Sequence, residues 1–225
     1  MAETSIAIRP GLAELPRFMK DLPVDARGYP VPWFVEWVNG EPEFRAMSRQ
    51  KLHAAITGHL CWVCGRKMFG EMVFVVGPMC TVTRISGEAP CHRECAVFSA
   101  LSCPFLSKPQ MTRRTNELPA VAVMNDGHNP RNPGATALWF TRRFDLIQNG
   151  RSILFRMGRA FRVDWYAKGH RASREEASEA LEAGIEVLWE TSDRNGDSEA
   201  QRSQMKAAIL EARRRLPRAI GDTCQ

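Results

Sequence analysis

The chain has 225 residues, 44% of them hydrophobic and 25% charged, with a formal net charge of +6. That balance excludes a mainly disordered chain, a collagen-like chain and a membrane-spanning one, and the length suffices for a sizeable core. Seven cysteines is an odd count, so disulfide pairing cannot use them all.

Residues 1–31 hold four prolines (Pro10, Pro16, Pro23, Pro30) and read as an irregular arm with at most one short helix. WFVEWV (33–38), Asn39-Gly40 and EPEFRAM (41–47) form a hairpin pattern, because Asn-Gly suits the positive φ angles of a tight turn. Pro42 cannot donate a ladder hydrogen bond, which makes the second strand an edge. Ser48 can cap a short helix, SRQKLHAAIT, that places Leu52, Ala55 and Ile56 on one face. The start of the chain lacks a basic segment followed by a long apolar run, and no apolar stretch is long enough to span a bilayer. A cytoplasmic location without membrane association is expected, where closely spaced thiols stay reduced and bind metal more often than they form disulfides.

Residues 58–107 contain six of the seven cysteines. The pattern is Cys61-Trp-Val-Cys64-Gly, then twenty-five residues, then Cys91-His92-Arg-Glu-Cys95. A C-x2-C pair followed by glycine is a zinc knuckle, a tight turn that points two thiolates at one spot. Between the halves, EMVFVVG (71–77) and TVTRI (81–85) read as two strands joined by Pro78-Met79-Cys80. HRECAVFSAL (92–101) reads as a helix stopping before Pro104, whose first turn brings His92 and Cys95 to one side. Knuckle, hairpin, helix is the order of a treble-clef zinc finger. The expected ligands are Cys61, Cys64, His92 and Cys95, with Cys91 as an alternative to His92. An iron–sulfur cluster would instead take Cys91 or Cys80 as its fourth thiolate. Cys80 and Cys103 are expected to be buried structural thiols, and Cys224 incidental. Four protein ligands close a structural site, whereas a catalytic one leaves a position for water. No H-x-E precedes Pro90-Cys91, and FVVGPMCTVTRIS contains no His, so neither a zinc deaminase nor an HNH nuclease is indicated. His53 and His59 flank the knuckle and are expected to be surface or packing residues.

Residues 118–167 read as an antiparallel β-meander of LPAVAVM, ATALWFTRRF, SILFRMG and AFRVDWYA, with NDGHNPRNPG, DLIQNG and Gly158 as breaks. Ile153, Phe155 and Met157 fall on one face of their strand, and Phe161, Val163 and Trp165 on one face of theirs. Residues 101–169 carry 11 basic and 4 acidic side chains, a net of +7 that accounts for the whole excess. Such a field attracts nucleic acid or an acidic protein surface. Arg113, Arg114, Arg142, Arg143, Arg156 and Arg162 are the candidate contacts, and pairing of the strands would align Arg142, Arg156 and Arg162 in one stripe.

Residues 173–191 and 198–216 read as two amphipathic helices. Ser173 with Glu176, and Ser198 with Gln201, fit capping boxes. Both apolar stripes are expected to pack into a core.

CWVCGRKMF, FVVGPMC, EAPCHREC and CPFL, followed by NPG, WYAKG and SREE, resemble a group of bacterial and phage proteins without an assigned activity, over about residues 30 to 190. Their P-x-H-R-x-C pattern corresponds to Pro90 through Cys95 and implies His92 and Cys95 as ligands. The resemblance also implies a phage or mobile-element origin, with a part in host takeover or defence evasion. The expectation is thus an α+β protein: an N-terminal arm, hairpin and helix (1–57), a zinc-binding segment (58–107), a basic meander (108–169) and a helical end (170–225), together one compact domain. Its leading function is non-enzymatic, zinc-stabilised binding of nucleic acid or a host protein. A metal-dependent enzyme acting on nucleic acid or nucleotides, and a protein inhibitor in phage–host conflict, are the alternatives.

Overall fold

Asn39 and Gly40, with φ of 52° and 82°, turn the chain between strands β1 (Val35–Val38) and β2 (Glu41–Met47), which pair antiparallel as a separate two-stranded sheet. Helix α1 (Arg49–Gly58) follows; Ser48 occupies its N-cap position, although its hydroxyl makes no capping bond. The computed structural model describes residues 6–108, 111, 134–150 and 152–218. In the N-terminal arm the only helical turn among the described residues is a 3-10 turn, Arg17–Met19, which buries Met19.

Strand β3 (Met72–Val76) is buried at four of its five positions. Residues 81–85, expected as the second strand of a hairpin, are not its partner. Helix α2 (Pro78–Thr83) takes most of that stretch, and only Ile85–Ser86 (β4) is extended. Pro78 at the first turn is pre-set for helix, the Thr81 hydroxyl donates to the Pro78 carbonyl (2.7 Å), and Arg84 ends the helix at φ 55°. The β-branched run Thr81-Val82-Thr83 is therefore overridden by packing: Val82 is buried among Leu181, Ile185, Ile209 and Ala212 of the C-terminal helices.

Helices α3 (Arg93–Ser102) and α4 (Pro104–Ser107) come next, then strands β5 (Thr136–Thr141), β6 (Phe144–Asn149), β7 (Ser152–Met157), β8 (Arg162–Ala167) and β9 (His170–Arg171). They do not form one meander. The order is β3-β5-β8-β9 in a four-stranded sheet and β4-β7-β6 in a three-stranded one, all antiparallel. Of DLIQNG, expected as a break, all but Gly150 lies in β6. This strand is mostly exposed and is held by its ladder to β7 rather than by burial, so it lacks an apolar alternation. LPAVAVM falls outside the described residues. The two sheets meet through aromatic rings: Phe74 of β3 and Phe144 of β6 each contact Phe155 of β7, at centroid distances of 6.0 and 5.3 Å.

Helices α5 (Arg174–Asn195) and α6 (Glu199–Arg213) carry both expected capping boxes, Ser173 with Glu176 and Ser198 with Gln201. They pack on α2 and are tied to the four-stranded sheet where Trp165 Nε1 donates to the Arg215 carbonyl (2.9 Å). The architecture is α+β, with antiparallel sheets and a helical C-terminal region.

Candidate metal centre

The knuckle is built first by main-chain bonds. Leu60 and Lys67 pair as an antiparallel bridge, Cys61 N–H donates to Arg66 O (2.8 Å), and Gly65 N–H donates to Cys61 O (2.8 Å). Gly65 sits at φ +73°, and a β-carbon there would lie 2.7 Å from the Trp33 ring. Glycine is needed at this position for both reasons. Trp33 N–H in turn donates to Val63 O (2.7 Å), and Phe34 stacks on Trp62 with centroids 4.9 Å apart, so the segment leading into β1 covers the knuckle.

The second half is positioned by β3. Val73 and Cys91 exchange both main-chain hydrogen bonds (3.0 and 2.8 Å), and Trp62 N–H donates to Pro90 O (3.0 Å). This register decides between Cys91 and His92, because successive extended residues point to opposite sides. Cys91 turns inward and its thiol donates to Val73 O (3.3 Å). His92, at the N-cap of α3, turns to the knuckle. The ligand atoms of Cys61, Cys64, His92 and Cys95 all lie within 4.8 Å of one another. Cys91 is not among them, so a four-thiolate set with Cys91 or Cys80 is not assembled.

Donor chemistry fits a metal ion. A tetrahedral ion bound by thiolates at about 2.3 Å needs ligand atoms about 3.8 Å apart, and Cys64 Sγ lies 3.4 Å from His92 Nδ1. Main-chain N–H groups of Cys64 and His92 donate to Cys61 Sγ (3.5 and 3.3 Å), stabilising negative charge on it. Burial disfavours charge on Cys61, but hydrogen bonds from Cys64, Cys95 and His92 outweigh it and hold this thiol far below its ordinary range. The same bonds act on the partners: hydrogen bonding to Cys61, then Cys64, pushes Cys95 up, and hydrogen bonding to Cys61 and Cys64 raises His92 to about 10. The cluster thus holds concentrated negative charge that protons offset, and a bound cation would take their place. Cys61, Cys64 and Cys95 are buried and His92 is half-buried beneath the Phe18 ring, 5.1 Å away.

The other cysteines stand apart. Burial pushes the Cys80 thiol up to about 11 and the Cys91 thiol well above its ordinary value. Cys103 is half-buried after α3, and Cys224 lies outside the described residues. His53 and His59 are exposed.

The candidate contact arginines do not form one stripe. Arg113 and Arg114 lie outside the described residues. Arg142 and Arg143 are exposed at the corner between β5 and β6. Arg156 belongs to the other sheet, opposite Asp145. Arg162, on β8, is paired with the buried Asp164 at 2.6 Å, and Arg171 joins the same carboxylate at 3.2 Å. Sequence reasoning missed Arg159 and Arg215, which share a cleft with Arg142 and Arg143. Arg215 comes from the end of α6, and no local pattern connects it with β5.

No helix among the described residues is long and apolar enough to cross a membrane. No family model matches the chain, and neither a curated protein nor a solved structure matches it significantly.

Proposed function

We propose that the protein is a non-enzymatic binding protein, stabilised by zinc, that engages nucleic acid or an acidic protein surface through its basic central region. The observation that carries this reading is the closed donor set: Cys61, Cys64, His92 and Cys95 converge within 4.8 Å, and three of the four are buried. Three cysteine thiols and one imidazole converging on one spot suit zinc, which takes four such ligands. With four protein ligands, bound zinc supplies folding free energy rather than a site for activating water. The knuckle, β3 and α3 would be cross-linked through one ion.

The partner reading is supported by the placement of charge. Residues 101–169 carry a net +7. Arg142, Arg143 and Arg159 are exposed, and no carboxylate among the described residues forms an ion pair with them. Arg162 is set aside for this role because its guanidinium is held by Asp164.

Elemental analysis of purified protein tests the metal, and salt-dependent binding to polyanions tests the surface. One equivalent of zinc per chain and an affinity falling steeply with salt are expected. A folded protein with no zinc, or metal-dependent turnover of nucleotides or nucleic acid, would overturn the reading.

A further inference from the structure

The corner between β5 and β6 meets the segment 158–161 and the end of α6 around a cleft of about 710 Å³, lined by Thr141, Arg142, Arg143, Arg159, Phe161 and Arg215. We infer that this cleft is a binding site for single-stranded nucleic acid, with phosphates held by the arginines and a base stacked at Phe161. The inference rests on the proposed polyanion-binding function and names its site and ligand class.

The cleft walls are tied to one another by hydrogen bonds. Thr141 Oγ1 lies 3.1 Å from the Arg143 carbonyl and 3.2 Å from the Arg159 carbonyl, within hydrogen-bond distance of both. Gly158 N–H donates to Arg143 O (3.0 Å), and Phe161 N–H donates to Phe140 O (3.1 Å). Arg215 Nη1 donates to Ala160 O (3.0 Å), while its guanidinium lies 5.4 Å from the Trp139 ring centroid. Glu211 offsets the charge of Arg215, at 2.8 Å. Arg142, Arg143 and Arg159 form no ion pair among the described residues, although Glu211 also feels the charge of Arg159. Three such guanidiniums around one concave site make a preorganised anion site.

Phe161 decides between kinds of anion. It is 52% exposed, although large apolar rings are usually covered. Its ring is propped by Phe140 at a centroid distance of 6.2 Å, and the Arg142 guanidinium lies 5.5 Å from its centroid. An aromatic ring with an arginine beside it is a stacking platform for unpaired bases. A duplex hides its base faces, and an acidic protein surface presents carboxylates without such faces. The combination of exposed arginines and a half-exposed ring therefore favours a single strand.

The test is fluorescence anisotropy of zinc-loaded protein with a labelled oligothymidylate of about ten nucleotides. The same sequence as a duplex and polyglutamate serve as the competing anions. The single strand should bind with a steep salt dependence. Phe161→Ala should weaken it by roughly 5- to 150-fold, the range measured for lost base stacking. Arg143→Ala with Arg159→Ala should lower the salt slope by about 1.4, two phosphate contacts for a single strand. Arg49→Ala on α1, which also removes an exposed arginine, should change neither. Unchanged zinc content and melting temperature show that each variant folds. Tight binding of duplex or polyglutamate that is indifferent to Phe161→Ala and to the cleft arginines would overturn the inference and leave the proposed function standing. If no polyanion binds the zinc-loaded protein, both fall.

Discussion

His92 Nε2 lies 3.1 Å from the main-chain oxygen of Lys67, the residue that pairs with Leu60 to close the knuckle. A carbonyl can only accept, so this contact holds a proton on Nε2 and leaves Nδ1 as the ring nitrogen facing Cys64, where a bound cation would replace its proton. The knuckle thus orients the ligand that comes from the other half of the site.

This geometry separates Cys91 from the ligands. Cys91→Ala should retain one equivalent of metal, because its thiol faces Val73 rather than the cluster. Cys95→Ala and His92→Ala should each lose most of it. Structural zinc contributes about 10–16 kcal/mol in finger peptides, comparable with the whole stability of a domain, about 5–15 kcal/mol. Chelation of the wild type should therefore abolish the cooperative melting transition. Metal stoichiometry and calorimetry on the three variants check this; loss of metal from Cys91→Ala with retention in His92→Ala would reverse the assignment.

Gly65 is constrained twice, by its φ of +73° and by the Trp33 ring 2.7 Å from where a β-carbon would stand. Gly65→Ala should cost at least about 2 kcal/mol, since strain at positive φ and overpacking each contribute about 1 kcal/mol or more. Because the residue follows Cys64 directly, metal affinity should fall with stability. Gly40→Ala shares the positive φ but has open space, so it should destabilise less and leave metal affinity alone. Competition with a chromophoric chelator measures both.

The Cys/His cluster that could hold a metal and the C-terminal capping boxes were legible because their chemistry is local: Cys61 to Cys64, His92 to Cys95, Ser173 to Glu176. What failed depends on distant partners. Val82 belongs to a helix because Leu181 and Ile209 cover it, and Thr81-Val82-Thr83 alone favours a strand. DLIQNG becomes a strand through main-chain pairing with β7, to which side-chain alternation contributes nothing. Arg162 is exposed by pattern, yet Asp164, two residues on along β8, takes up its charge. Of the cleft arginines, Arg142 and Arg143 were named from the charge of the segment, whereas Arg215 required knowing that the end of α6 returns to β5.

The capping box of α5 has a pH signature. Glu176 Oε1 accepts from Lys168 (2.9 Å) and Oε2 from the Ser173 N–H (3.1 Å); Lys168, then Ser173, hold its carboxyl below the usual value of 4.5. The native state therefore binds this proton less readily than the unfolded chain. Its stabilisation is complete above the unfolded pKa and is lost as pH falls through the lower folded value. Glu176→Gln keeps the bond to Ser173 and removes the charge, so wild type and variant should converge in stability below about pH 4 and diverge toward pH 6. Ser173→Ala, which removes the other half of the box, should cost about 1 kcal/mol at all of these pH values. Urea unfolding across the range distinguishes the two behaviours.

Gly158 couples the fold to the cleft. Its φ is ordinary, but a β-carbon there would stand 2.5 Å from the Arg143 carbonyl oxygen and 2.9 Å from Thr141 Oγ1. Those two atoms form the hydrogen-bonded corner that carries Arg142 and Arg143, and Trp139 Nε1 donates to the Gly158 carbonyl (2.9 Å) behind it. Backbone cannot yield as a flexible side chain does, so Gly158→Ala must push the corner away from 158–161. The expected cost is about 1–3 kcal/mol. The cluster that could hold a metal lies at 61–64 and 92–95, so metal content should be unchanged. Oligonucleotide affinity should fall even at temperatures where the variant is fully folded, because the arginines of the corner would move relative to Arg159 and Phe161. Retained affinity in a folded Gly158→Ala protein would show that the corner and the segment 158–161 do not act on a shared ligand.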